Sequence, residues 1–187
     1  MFSKREIKSN LLGCLELTLF MRRGVVRFES SRVAAIKSFL ITLLVLPPTL
    51  AVMVALSEGY AASLLVTLHA IRIVLSMVLF LGAVYFITKQ YDRQSYFYKF
   101  INIFNWMNIP GIILCLPILS IIITGASIEA FESYAVFITL LGYVYGAFII
   151  THTFRIPWEM GGFIAIISLA IDQNALELTT HIRDMLS

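Results

Sequence analysis

Residues 61–88 read AASLLVTLHAIRIVLSMVLFLGAVYFIT. The stretch is apolar almost throughout and exceeds the roughly 20 residues a helix needs to cross a bilayer core. It nevertheless carries His69 and Arg72, one helical turn apart. An arginine at the bilayer centre costs about 2.5–3.5 kcal/mol on insertion scales and more in simulation. The guanidinium must therefore face protein, water or a counter-charge, and neighbouring helices must supply it. A bundle is implied, not a lone anchor.

Composition points the same way. Of 187 residues, 59% are hydrophobic and 13% charged, with a mean hydropathy of +0.89; a soluble domain carries about 25% charged residues. Long Leu, Ile, Val and Phe runs leave little room for a separate soluble domain. The net charge is only +3, but eight of the 14 Lys and Arg precede Ser38. Such clustering is a cytoplasmic-side topology signal, and no basic module exists to bind nucleic acid. Cys14 and Cys115 fall at different depths and form neither a disulfide framework nor a metal site. Leu11–Cys14 resembles a lipoprotein cleavage box, but the stretch before it, Ser3 to Asn10, is too polar for a signal peptide. No phosphate loop, nucleophile elbow or zinc helix appears, so neither a cofactor nor catalysis is expected.

The fold class read from the chain is an all-α membrane protein. Residues 1–29 form a cytoplasmic or interfacial segment and residues 30–187 a five-span domain, with spans at about 34–56, 61–88, 102–124, 134–153 and 160–178. In the first segment Ile7, Leu11, Cys14, Leu15 and Leu19 recur at helical spacing. An amphipathic helix at the inner headgroup layer fits, and so does one packed on the cytoplasmic ends of the bundle. Pro47 and Pro48 predict a kink or local unwinding of the first span. Arg22, Arg23, Lys89, Arg93, Trp106 and Trp158 are expected as interfacial anchors. Gly142 and Gly146 offer a small-residue seat for a neighbouring helix. Ser57 to Tyr60 is expected to form a tight turn, and Gly125 to Ser133 an acidic connection.

Charge sets the orientation. Twelve Lys and Arg fall in segments on one side, and only Arg183 falls on the other. The N-terminus is expected in the cytoplasm and the C-terminus outside. Asp172 lies about 12 residues, roughly 18 Å, into the last span, and Arg72 as far from the opposite surface. In a core about 30 Å thick their depths overlap, which predicts an intramembrane cluster of His69, Arg72 and Asp172. That cluster reads either as a charge pair fixing helix order or as a proton or ion relay. Asn102, Asn105 and Asn108 are expected to cap the third span and bond headgroups or neighbouring backbone. His152 and Glu159 are too few for a zinc site.

GVVRFESSRVAAIKSFLITLLVLPP entering the first span, FNWMNIPGIILCLP entering the third and FRIPWEMGGFIAIISLAID entering the last resemble Yip1-like integral membrane proteins, in particular small bacterial members. The likeness covers about Gly24 to Leu178. It implies a five-helix bundle without a catalytic site, in a bacterial inner membrane. The Asp-Leu-Tyr-Gly-Pro stretch of eukaryotic members is absent, so their Rab-GTPase and trafficking role is not carried over. The expected function is non-enzymatic, through contacts with the lipid bilayer, with membrane-protein partners or in a homo-oligomer. The alternatives are a small transporter or channel built around Arg72 and Asp172, or an accessory subunit of a larger complex.

Overall fold

A computed structural model describes residues 2–55, 61–124 and 132–186. The expected Ser57–Tyr60 turn, with Glu58, and most of the acidic connection, with Glu129, lie outside the described residues. The rest is helical: α1 (Lys4–Thr18), a 3-10 turn (Arg22–Arg27), α2 (Arg32–Ala55), α3 (Ala62–Gln90), α4 (Phe97–Trp106), α5 (Asn108–Thr124), α6 (Glu132–Phe154) and α7 (Trp158–Leu186). Five helical segments are long and apolar enough to cross a membrane, with α4 and α5 together making the third. Their outward faces carry Ile36, Leu40 and Leu43 on α2, Ile71, Val74 and Val78 on α3, and Val136, Phe137, Leu140 and Val144 on α6, all exposed. Apolar area of this extent would associate in water and is compatible with a surrounding of acyl chains.

α1 begins with a capping box. Ser3 Oγ accepts from the Glu6 amide at 3.1 Å, and Glu6 Oε2 accepts from the Ser3 amide at 2.5 Å. α1 buries Asn10, Gly13, Cys14, Glu16 and Leu17 against the basic ends of the other helices. Gly24 does more than end a helix. A Cβ there would lie 2.8 Å from the Gly13 carbonyl oxygen, and a Cβ at Gly13 would lie 2.5 Å from the Phe28 ring. The two glycines let the 3-10 turn fold directly back onto α1.

At the basic end α1, α3 and α6 are followed by residues in the left-handed region, none of them glycine: Phe20 (φ 54°), Asp92 (φ 54°) and Arg155 (φ 55°). Each is followed by an amide that reaches five residues back: Met21 to Glu16 O, Arg93 to Thr88 O and Ile156 to Thr151 O, at 2.8, 3.0 and 3.2 Å. This pattern satisfies carbonyls that a helix end leaves without partners.

The third span departs from the single helix expected. It breaks at Met107, three residues before Pro110. Proline has no amide to donate to the carbonyl four residues back and clashes with it. That carbonyl belongs to Trp106 and accepts from the Cys14 thiol instead, at 3.5 Å. Trp106 is 2% exposed and edge-on to Phe2, so it is a core residue and not the interfacial anchor expected. At Pro47 and Pro48, by contrast, α2 stays helical and the expected unwinding does not occur. α7 runs on to Leu186, past the expected end near 178, because Ala175 and Thr179 stay buried one turn apart.

α7 packs against α6 on one side and α3 on the other, while α2 packs on α4 and α5. Of the largest buried side chains, Trp106, Phe28, Phe100, Phe154, Leu17, Ile103 and Ile150 all gather toward the basic end. The close seat between α6 and α7 is at Gly161, not at the expected pair. A Cβ on Gly161 would collide with Thr151 Oγ1 and lie 2.8 Å from Ala147 O, whereas one on Gly142 meets nothing within 4 Å and one on Gly146 sits 3.8 Å from Ala165 Cβ. Gly161→Ala is expected to lower stability by about 1–3 kcal/mol. Gly162→Ala, with open space at its Cβ, should gain a few tenths up to about 1 kcal/mol from helix propensity. Thermal unfolding of both variants in one detergent compares them directly.

Candidate functional site

Three asparagines at intervals of three residues bring polar groups into the bundle. Asn105 is fully buried; its Nδ2 donates to Ser38 Oγ at 2.8 Å and its Oδ1 accepts from Thr42 Oγ1 at 2.9 Å. Asn108 Nδ2 donates to Thr42 Oγ1 at 3.3 Å and to Asn105 O at 3.1 Å, and Asn102 Nδ2 donates to Glu29 O at 3.1 Å. Of the expected roles, bonding to neighbouring backbone is seen for Asn102 and Asn108, while Asn105 and Asn108 also form a side-chain ladder between α2 and α4–α5. The missed signal is Ser38 and Thr42, four residues apart on one face of α2. Short hydroxyls at that spacing can pair with amides on a neighbouring helix, as polar groups must away from water.

The ladder leads into a cavity of about 470 Å³ between α2, α3, the α4–α5 pair, α6 and α7. Its floor lies toward the basic end and is made of Phe80, Phe100, Ile149, Ile150 and Ala165, all buried. Its mouth carries Thr139, Gly142 and Asp172, which are exposed. Phe104, Ser76, Tyr143 and Ser168 line the walls between. Sequence reading missed Ser76, Tyr143 and Ser168, each a single polar residue inside an apolar run.

The structure separates Asp172 from Arg72. Helices α3 and α7 are antiparallel neighbours of 29 residues each, and their centres fall at Ser76 and Asp172. Leu75 and Leu79 share a crevice with Ile167, Ile171, Ala175 and Leu178, consistent with that register. Asp172 therefore lies level with Ser76 on the cavity wall, and Arg72 is buried one turn, about 6 Å, nearer the other end. The ion pairs among the described residues are Arg23–Glu16, Arg27–Glu16, Lys37–Glu6 and Arg183–Asp184; none joins Arg72 to Asp172. The expected pairing rested on depths that overlap only within about a turn, and the observed register leaves that turn between the two groups. His69 stays within electrostatic reach of Arg72, and Arg183 lies near it too.

At the basic end Glu16, on α1, is a buried anchor. Arg27 grips it with Nε at 2.7 Å and Nη2 at 2.6 Å, and Arg23 Nε lies 3.3 Å away. The Arg27 hydrogen bonds and the charges of Arg27 and Arg23 hold the Glu16 carboxyl below the usual carboxylate range. Burial pushes the Cys14 thiol up to about 12, so it stays protonated. Tyr145 OH donates to Thr18 O at 2.6 Å, and its ring stacks on Phe20 with centroids 4.6 Å apart. Arg22 and Lys89 are exposed and Arg93 is half-buried; Trp158, at the start of α7, is 48% exposed. No group of three His, Cys, Asp or Glu able to hold a metal occurs among the described residues. Comparison with known protein families, with curated proteins and with solved structures returns no match.

Asn105→Ala, which removes the donor to Ser38 Oγ and the acceptor for Thr42 Oγ1, is expected to cost about 1–2 kcal/mol. A double-mutant cycle with Thr42→Ala should show positive coupling in thermal unfolding. The Glu16 carboxyl has a depressed folded-state value, so its contribution is full above about pH 4.5, its ordinary value, and is lost as pH falls through the lowered one. A spin label at Val26, which is 78% exposed, should stay immobile near neutral pH and gain mobility on acidification below that range. In Glu16→Gln it should be mobile at every pH.

Proposed function

We propose that the chain is a non-enzymatic, multi-pass membrane protein of Yip1-like type that acts through contact with anionic lipid at its basic end. In this reading it lies in a bacterial inner membrane with its N-terminus in the cytoplasm and its C-terminus outside. The observation that carries the proposal is on α1, outside the five spans. While one face of α1 packs on the bundle, Ile7, Leu11, Leu12, Leu15 and Leu19 remain exposed, by 37% to 58%. Lys4 and Lys8 border this stripe. Leucines beside lysines suit the boundary between acyl chains and anionic headgroups. A second basic surface supports the reading: Arg22, Arg23 and His152 line an open pocket with Phe20, Met21 and Phe148. Guanidinium groups beside apolar side chains match a lipid phosphate and the start of its chains. The charge asymmetry along the chain supports the orientation.

Spin labels at Leu11 and Leu15, with the protein in phosphatidylglycerol-containing nanodiscs, should be reached by oxygen and shielded from a water-soluble relaxation agent. Native mass spectrometry should retain phosphatidylglycerol over phosphatidylcholine, and Arg22→Gln should reduce that preference. Water-accessible labels, or equal retention of the two lipids, would overturn the proposal.

A further inference from the structure

We propose that the cavity between the helices binds a hydrophobic organic ammonium ion, with Asp172 as its counter-charge. The volume, about 470 Å³, falls within the roughly 300–1,000 Å³ of small-molecule pockets. Its two walls differ in what they leave available. On the α2 and α5 side Thr42 and Asn108 satisfy each other, and Asn105 completes Thr42. On the α3 and α7 side they do not: the Ser76 hydroxyl is buried without a hydrogen-bond partner. Thr139 and Ser168, which line the same cavity, instead turn their hydroxyls back onto Ala135 O and Ala165 O. Asp172, level with Ser76, makes no hydrogen bond or ion pair among the described residues.

A carboxylate only accepts hydrogen bonds. Asp172 is the one charged group among the described residues that line the cavity, so the complementary head is a cation that donates. Tyr143, within electrostatic reach of Asp172, adds an aromatic ring of the kind ammonium groups favour. Deeper in, Phe80, Phe100 and Phe104 form an aromatic cluster with centroids 5.5–6.1 Å apart, which accepts a phenyl or alkyl body and no second charge. The occupant is amphiphilic, with its charge at the mouth and its apolar end on the floor.

The test is equilibrium binding of phenylbutylammonium to the full chain in nanodiscs, with empty discs of the same lipid subtracted. Its uncharged isostere phenylbutanol is measured in parallel. The ammonium should be retained above empty discs and bind at least about tenfold more tightly than the alcohol, a difference of about 1.4 kcal/mol. Asp172→Asn should remove that preference. Its side chain is exposed at the mouth, so the fold should survive, as unchanged thermal unfolding would show. Gly142→Leu, placing a side chain in open space at the mouth, should weaken both ligands. Retention no greater than in empty discs, equal binding of ammonium and alcohol, or Asp172→Asn binding like the parent chain would overturn the proposal.

Discussion

The bond pattern around Asn105 is the constraint on which the bundle's basic half depends. An amide withdrawn from both water and lipid must find a donor and an acceptor, and Asn105 finds both on α2, in Thr42 and Ser38. That fixes the rotation of α4. With Asn105 turned to α2, Phe100 reaches Phe80 and Phe154, and Trp106 reaches Phe2. The N-terminal helix then has a surface to rest on. A slip of one residue along α4 would put Phe104 or Trp106 where the amide now sits, leaving Thr42 Oγ1 without its acceptor and Ser38 Oγ without its donor, which is costly in an apolar interior.

Pro110 cooperates with this arrangement from the other side of Met107. By withholding an amide it frees the Trp106 carbonyl, and the Cys14 thiol takes it up. The same proline stops α4 from running straight into α5. α4 thus takes its own rotation within the basic end, while α5 continues the third candidate span. Cys14, Gly13 and Gly24 act together there: the glycines remove the bulk that would hold α1 off the 3-10 turn, and Arg27 closes over Glu16.

Much of this architecture was legible in the chain. The apolar run at 61–88 and its four companions announce helices that match candidate spans, because a stretch that long and that apolar has few other options. Side-chain partners were harder to read. Trp106 looked like a boundary aromatic because it follows Lys99 and a run of tyrosines, yet burial depends on how α4 is rotated, which spacing in one helix does not fix. Asp172 and Arg72 were matched by depth counted from the ends of their spans. Those depths agreed only to within about a turn, and depth alone does not fix which faces of α3 and α7 meet. Gly142 and Gly161 invert expectation for a similar reason: a small-residue motif marks permission for close approach, and only the neighbour's position shows whether it is used. The asparagines were noticed with headgroups or backbone as partners, and their side-chain partners Ser38 and Thr42 were missed because these sit more than 60 residues earlier.

The N-terminal helix and its 3-10 turn belong to one end of the molecule alone. A helix with its side chains is about 10–12 Å across, so among the described residues α1 adds close to one such width to that end. In a bilayer that embeds α1, one monolayer must give up more area to the protein than the monolayer opposite. Such a leaflet would be crowded laterally by a helix that the five candidate spans do not supply.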